Sequence, residues 1–205
     1  MSGPTIAFWQ QRFESGDLPW DRGTPSPQLA AWLAQGVLRP GQSVLVPGCG
    51  SGHEVVALAS AGCAVTALDY APAAVAQTQQ RLHEAGQHAD VRCVDVLQWA
   101  PDAPCDAVYE QTCLCAIHPD HWTAYAAQLH AWLRPGGTLC ALLMQVCRDS
   151  AAHGVIEGPP YHCDINAMRA LFPASRWDWP KPPYAALAHP RGWAELPVLL
   201  TRRAV

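Results

Sequence analysis

Between residues 44 and 54 the chain reads Val44-Leu45-Val46-Pro47-Gly48-Cys49-Gly50-Ser51-Gly52-His53-Glu54. A β-branched apolar run enters, three glycines alternate with small residues, and a helix-compatible stretch leaves. Glycine lets backbone approach a ligand that a Cβ would block, and a helix start offers unpaired N–H donors. Asp69 follows Gly48 by 21 residues, at the end of the next apolar run. A carboxylate there can accept both hydroxyl protons of a ribose. Asp95, in Val94-Asp95-Val96, follows a third run. Its carboxylate is placed to accept from an adenine amino group, while a neighbouring backbone N–H meets a ring nitrogen. Gly48, Gly50, Asp69, Asp95 and Val96 are the candidate nucleotide-binding residues.

Two cofactor classes use such a loop. Dinucleotide enzymes place Gly-x-Gly-x-x-Gly under a pyrophosphate. This chain has Gly-x-Gly-x-Gly, followed by His53 and Glu54. A carboxylate in the first helical turn opposes a pyrophosphate but suits a ligand bearing an ammonium and a sulfonium. S-adenosyl-L-methionine is the expected cofactor, and a nicotinamide-dependent oxidoreductase is the alternative.

Nine cysteines and nine tryptophans are unusual in 205 residues. An odd cysteine count in a chain with its own core does not read as a disulfide framework. No Cys-x-x-Cys occurs, and most thiols are expected as small buried hydrophobes. The run Cys113-Leu-Cys115-Ala-Ile-His118-Pro-Asp-His121 resembles ligand spacing in outline. A structural zinc needs four converging donors, and no metal is expected. Tyr161 and His118 are the candidate catalytic side chains, with His121 and Glu110 as further candidates to line an acceptor pocket or take a proton.

The elements that must position these residues follow from periodicity. Apolar runs at 43–47, 64–68, 90–94, 106–109, 138–144 and 195–201 alternate with helical stretches at 53–61, 71–85 and 121–133. Continuously apolar strands alternating with helices predict a doubly wound, mostly parallel α/β sheet buried on both faces. Six strands are read in one domain spanning 1–205, with an N-terminal helical segment over 1–40 and an irregular insertion over 145–190.

Composition excludes several classes. Half the residues are hydrophobic, only 15% are charged, the formal charge is −4, and Lys181 is the single lysine. That is no basic stripe for nucleic acid and no polybasic membrane anchor. No apolar stretch approaches the roughly 20 residues of a spanning helix. The N-terminal residues lack the basic start and apolar run of a signal peptide, so a cytoplasmic protein is expected.

Phe8-Trp9, Leu18-Pro19-Trp20-Asp21, the Val46–Glu54 loop, Cys115-Ala-Ile-His-Pro119 and Gly158-Pro-Pro-Tyr161 together resemble the thiopurine S-methyltransferase family. The likeness is nearer to its thiol and halide methyltransferase branch. It implies a class I S-adenosylmethionine-dependent methyltransferase with a seven-stranded sheet, in which Trp9 and Trp20, with Phe13 between them, close over the cofactor. It further implies that Gly48 contacts the methionine part, Asp69 the ribose, and Asp95 with Val96 the adenine. Gln111 stands where the thiol branch often has tyrosine. Trp122 stands where thiopurine-type members carry an arginine, which favours a smaller, more apolar acceptor at an aromatic-lined site. The implied reaction is methyl transfer to a small thiol or related sulfide, halide or chalcogen nucleophile. A thiopurine-type aromatic thiol methyltransferase, or a cofactor-binding protein without turnover, are the other readings.

Overall fold

Alternate side chains along the central strands fall into different cores. Leu45 and Val108 pack on one face of the sheet, while Val44, Val46, Ala107 and Tyr109 pack on the other. A period of two with both sides apolar requires helices on both faces. The computed structural model describes residues 3–146 and 148–204.

Chain order is α1 (Ile6–Ser15), α2 (Pro27–Ala34), β1 (Ser43–Pro47), α3 (His53–Ser60), β2 (Ala64–Asp69), α4 (Pro72–Glu84), β3 (Asp90–Cys93) and β4 (Cys105–Gln111). There follow α5 (Trp122–Trp132), β5 (Leu133–Gln145), α6 (Ile165–Leu171), β6 (Trp177–Asp178), β7 (Leu187–Ala188) and β8 (Ala194–Arg202). The sheet runs β3-β2-β1-β4-β5-β8-β6, with the stub β7 pairing β8 as an eighth strand. The first five on that path are mutually parallel, and β6, β7 and β8 are antiparallel to their partners. The order reverses between β1 and β4. In a doubly wound sheet that switch point opens a crevice at the carboxyl ends of the strands.

Local chemistry sets the element ends. Thr5 Oγ1 accepts the Phe8 N–H to start α1, and Gly16 in the left-handed region ends it. Ser26 caps α2 ahead of Pro27, and Asp164 Oδ1 accepts from Asn166 and Ala167 to start α6. The helix expected over 121–133 ends at Trp132, and Leu133 is already extended. Pro135 disfavours helical backbone at Arg134, so β5 begins at Leu133 rather than at Thr138.

One core packs α5, α6 and Trp177 against the sheet. The other packs Leu29, Trp32, Val55 and Leu58 from α2 and α3 against the opposite face. Seven of the eight described cysteines are buried, and all eight are free thiols. Cys147 lies outside the described residues. Burial pushes the thiols of Cys49, Cys113, Cys115, Cys140 and Cys163 well up, so these groups serve as small apolar filling.

Candidate active site

Gly48, Gly50 and Gly52 all have positive φ, at 59°, 52° and 79°. The loop thus turns in a region that disfavours any side chain. Space adds a second reason at two of them. A Cβ on Gly48 would sit 2.9 Å from Cys113 Cβ, and one on Gly52 would sit 2.6 Å from Thr78 Oγ1. Asp69 closes the loop from the end of β2. Its Oδ2 accepts the Gly50 N–H at 3.0 Å and its Oδ1 accepts the Ala71 N–H at 2.9 Å. Burial raises its pKa, and backbone N–H groups of Ala71, Gly50 and Tyr70 work against that rise. Each oxygen keeps a second lone pair for a ligand hydroxyl.

A cavity of about 630 Å³ opens above the strand ends, a size suited to a cofactor and a small acceptor. Gly48, Asp69, Asp95 and Val96 line it at the ends of β1, β2 and β3. Asp95 also caps its own turn, accepting from Leu97 N at 2.9 Å and Gln98 Nε2 at 3.0 Å. Trp9, Phe13 and Trp20 line the same cavity as an edge-on aromatic cluster. Trp20 stands 5.2 Å from Trp9 and 6.0 Å from Phe13, ring centre to ring centre. This N-terminal segment is pinned to the sheet domain at several points. Ala73 N donates to Gln10 Oε1, Gln77 Nε2 to the Phe13 carbonyl, and His53 Nε2 lies 3.1 Å from Asp21 Oδ1.

Beyond the glycine loop the cavity shares Trp20, Gly48 and Thr112 with a narrower crevice reaching Asp21, Arg22, Gly50 and Glu54. Glu54 is half-buried, with its pKa raised by desolvation, and accepts the Ser26 N–H at 3.0 Å. Arg22 Nε is buried without a hydrogen-bond partner among the described residues. A half-buried carboxylate and an unpartnered Nε–H of Arg22 in one crevice suit an amino-acid terminus carrying an ammonium and a carboxylate. With the carboxylates of Asp69 and Asp95 as further acceptors along the cavity, the residues fit S-adenosylmethionine.

The other wall of the cavity comes from the β4–β5–β8 side. His118, Met144, Pro159, Pro160 and Trp193 line it. His118 Nδ1 lies 3.2 Å from Asp120 Oδ2 and 3.3 Å from the Asp120 N–H. Tyr161 stands behind this wall, edge-on to the His118 ring at 5.4 Å, with its N–H on the Cys115 carbonyl. Burial raises its phenol pKa. Glu110 is fully buried and turned inward, accepting the Leu114 N–H at 2.7 Å, and burial lifts its pKa to about 7. It holds the turn that presents His118.

Tyr161, Glu110, Gln111 and Trp122 do not line the cavity. The Gln111 side chain leaves the main cavity, accepting from Tyr109 Oη and donating to Glu195 Oε1 in the crevice. Thr112, at φ 63°, lines the cavity instead. Trp122 is half-buried and packs against the core, its Nε1 shared between the Leu114 and Ile117 carbonyls at 2.9 Å each. The indole on this wall of the cavity is Trp193. Arg148 and Arg191 also line the cavity, and no local pattern in the sequence marks them.

The chain matches the family described as thiopurine S-methyltransferase over residues 5–184. It belongs to the thiopurine S-methyltransferase family. It is 31% identical over 168 residues to a probable thiol methyltransferase of Arabidopsis thaliana, covering 81% of this chain and 71% of that one. It is also 31% identical over 181 residues to the thiopurine S-methyltransferase of Azotobacter vinelandii, covering 80% of each. The fold is similar to that of the 1,6-didemethyltoxoflavin-N1-methyltransferase of Burkholderia thailandensis, solved with S-adenosylhomocysteine. The TM-score is 0.74 at 19% identity, over 98% of this chain and 87% of that one. As a member of the family the protein is an S-adenosylmethionine-dependent S-methyltransferase, which sets the nicotinamide reading aside. No helix among the described residues is long and apolar enough to cross a membrane.

Proposed function

We propose that this S-methyltransferase acts on a small organic thiol held between His118 and the cofactor. In this reading residues 1–40 form the cofactor lid and residues 145–190 wall the acceptor end of a single domain spanning 1–205. The observation that carries it is that His118 lines one cavity with Asp69, Asp95 and Val96, alongside Trp9, Phe13 and Trp20. S-adenosylmethionine, when bound, supplies a methyl group on a positively charged sulfur. The protein's share is then to align the acceptor, exclude water and remove the thiol proton.

A thiol with a pKa of roughly 8.5 is mostly protonated at neutral pH. Once Nδ1–H exchanges the Asp120 N–H for the Asp120 carboxylate 3.2 Å away, His118 presents the Nε2 lone pair to take that proton. Tyr161 is a positioning residue that packs the imidazole from behind. Gln111 contributes through its main chain beside the cofactor. Trp9, Phe13 and Trp20 close the lid and keep water from the reacting sulfur. A cytoplasmic location is part of this reading, supported by eight free thiols that a reducing compartment maintains.

The test is His118→Gln assayed with an aliphatic thiol of high pKa and an aromatic thiol already ionised at pH 7. Removing a general base lowers kcat/KM for the aliphatic thiol by about 100-fold. The aromatic thiol should lose much less. Equal losses for the two acceptors would remove His118 from proton transfer.

A further inference from the structure

The antiparallel register of β5 on β8 pairs Met144 with Glu195 and Gln145 with Ala194. Arg148 follows the last paired residue of β5 by three positions, and Arg191 precedes the first paired residue of β8 by three, in the turn that joins β7 to β8. The two strands part beyond Gln145 and Ala194, and both arginines line the cavity at that open end, next to Met144 and Trp193. Arg148 is held by its own loop. Its Nη1 donates to the carbonyls of Glu157 and Pro160 at 2.7 and 2.9 Å, and its Nε lies 3.4 Å from Glu157 Oε1. Arg191 Nε donates to the Pro19 carbonyl of the lid at 3.3 Å. Among the described residues, Arg148 Nη2 and both Nη groups of Arg191 have no partner.

The charge at this end is unbalanced. Glu157, the carboxylate beside Arg148, is half exposed and also accepts from Ser150 Oγ at 2.6 Å. The remaining acids of the cavity are engaged elsewhere: Asp17 pairs with Arg12, and Asp69 and Asp95 lie at the β2 and β3 ends. Two guanidiniums thus face the acceptor space in a chain whose overall charge is −4. A cavity wall focuses such a field on whatever enters.

The reaction itself argues against using those cations on the reacting sulfur. Thiolate and sulfonium neutralise one another as the methyl group moves. A cation bound to the thiolate therefore stabilises the ground state more than the transition state. A guanidinium pair is better used on an anion that keeps its charge throughout, and its planar N–H fork matches a carboxylate. We infer that the acceptor is a thiol carrying a carboxylate remote from sulfur, and that Arg148 and Arg191 clamp that carboxylate. The inference rests on the thiol reading above and narrows it. It sets carboxylated thiols above neutral thiols and above small inorganic anions such as thiocyanate.

The experiment compares 3-mercaptopropionate with its methyl ester in wild type, Arg148→Ala, Arg148→Lys and Arg191→Ala. Wild type should prefer the carboxylate by roughly tenfold or more in kcat/KM, expressed mainly in KM. Each alanine variant should collapse that preference, and lysine should restore part of it. No preference in wild type, or equal losses on acid and ester in the variants, overturns the clamp. The second case describes arginines that only brace their loops. Loss of S-adenosylhomocysteine binding in the variants would place the arginines at the cofactor end and overturn it too. Calorimetric binding of 3-(methylthio)propionate and its ester to S-adenosylhomocysteine-saturated protein decides the matter independently of turnover. If no thiol is methylated yet the acid binds through both arginines, the clamp stands and the proposed reaction fails.

Discussion

The carboxylate of Asp69, the last residue of β2, accepts the N–H of Gly50 at 3.0 Å, in the loop that leaves β1. One side chain therefore shapes the glycine loop and faces the cavity beside it. Asp69→Asn keeps an acceptor for one of the two bound N–H groups and turns an amide toward the other. Calorimetry should show S-adenosylhomocysteine binding weakened at least about tenfold, the loss expected of a charged hydrogen bond. Wild-type affinity in the Asn variant would take the ribose away from this residue.

Arg22, in the N-terminal segment, donates to Glu195 Oε2 on β8 at 2.8 Å, and Glu195 is fully buried. Removing one partner of such a pair strands the other charge and costs about 3–5 kcal/mol. Urea unfolding of Arg22→Met should show that loss. Adding Glu195→Gln should recover much of it, because the stranded charge goes. A single-variant loss below about 1 kcal/mol would mean that the N-terminal segment is not fixed through this pair.

Burial raises the Glu110 pKa from 4.5 to about 7 in the folded protein. The folded state therefore holds this proton more tightly than the unfolded chain. The associated stability is fully present below pH 4.5 and is lost as pH rises through 7. Glu110→Gln cannot ionise, so its stability relative to wild type should climb between pH 5 and pH 8 and then level off. Thermal melts across that range measure the difference. A constant difference would show that Glu110 is already ionised in the fold at low pH.

The legible part of the molecule was the part written locally. The loop at Gly48–Gly52 and the alternation of apolar strands with helices carry their own periods and turn residues, and the parallel half of the sheet followed from them. Gln111 and Thr112 show what a strand end hides. Neighbouring residues there point to opposite sides, so a one-residue choice decides which lines the cavity. Trp122 was misplaced for a related reason: helix spacing alone does not say whether an indole faces a ligand or the carbonyls of Leu114 and Ile117. Arg148, Arg191 and Trp193 reach the site through the β5–β8 ladder, a pairing between segments far apart in the chain that no local signal announces. The two-residue strands β6 and β7 owe their existence to the same long-range partner.

Transfer of a deuterated methyl group from S-adenosylmethionine to an acceptor thiol, read by mass spectrometry, tests the central claim most directly. The purified protein should place the label on the acceptor's sulfur, and Asp69→Asn should slow the transfer at subsaturating cofactor. Folded protein that binds S-adenosylhomocysteine yet leaves carboxylated, neutral and aromatic thiols all unlabelled would contradict the account.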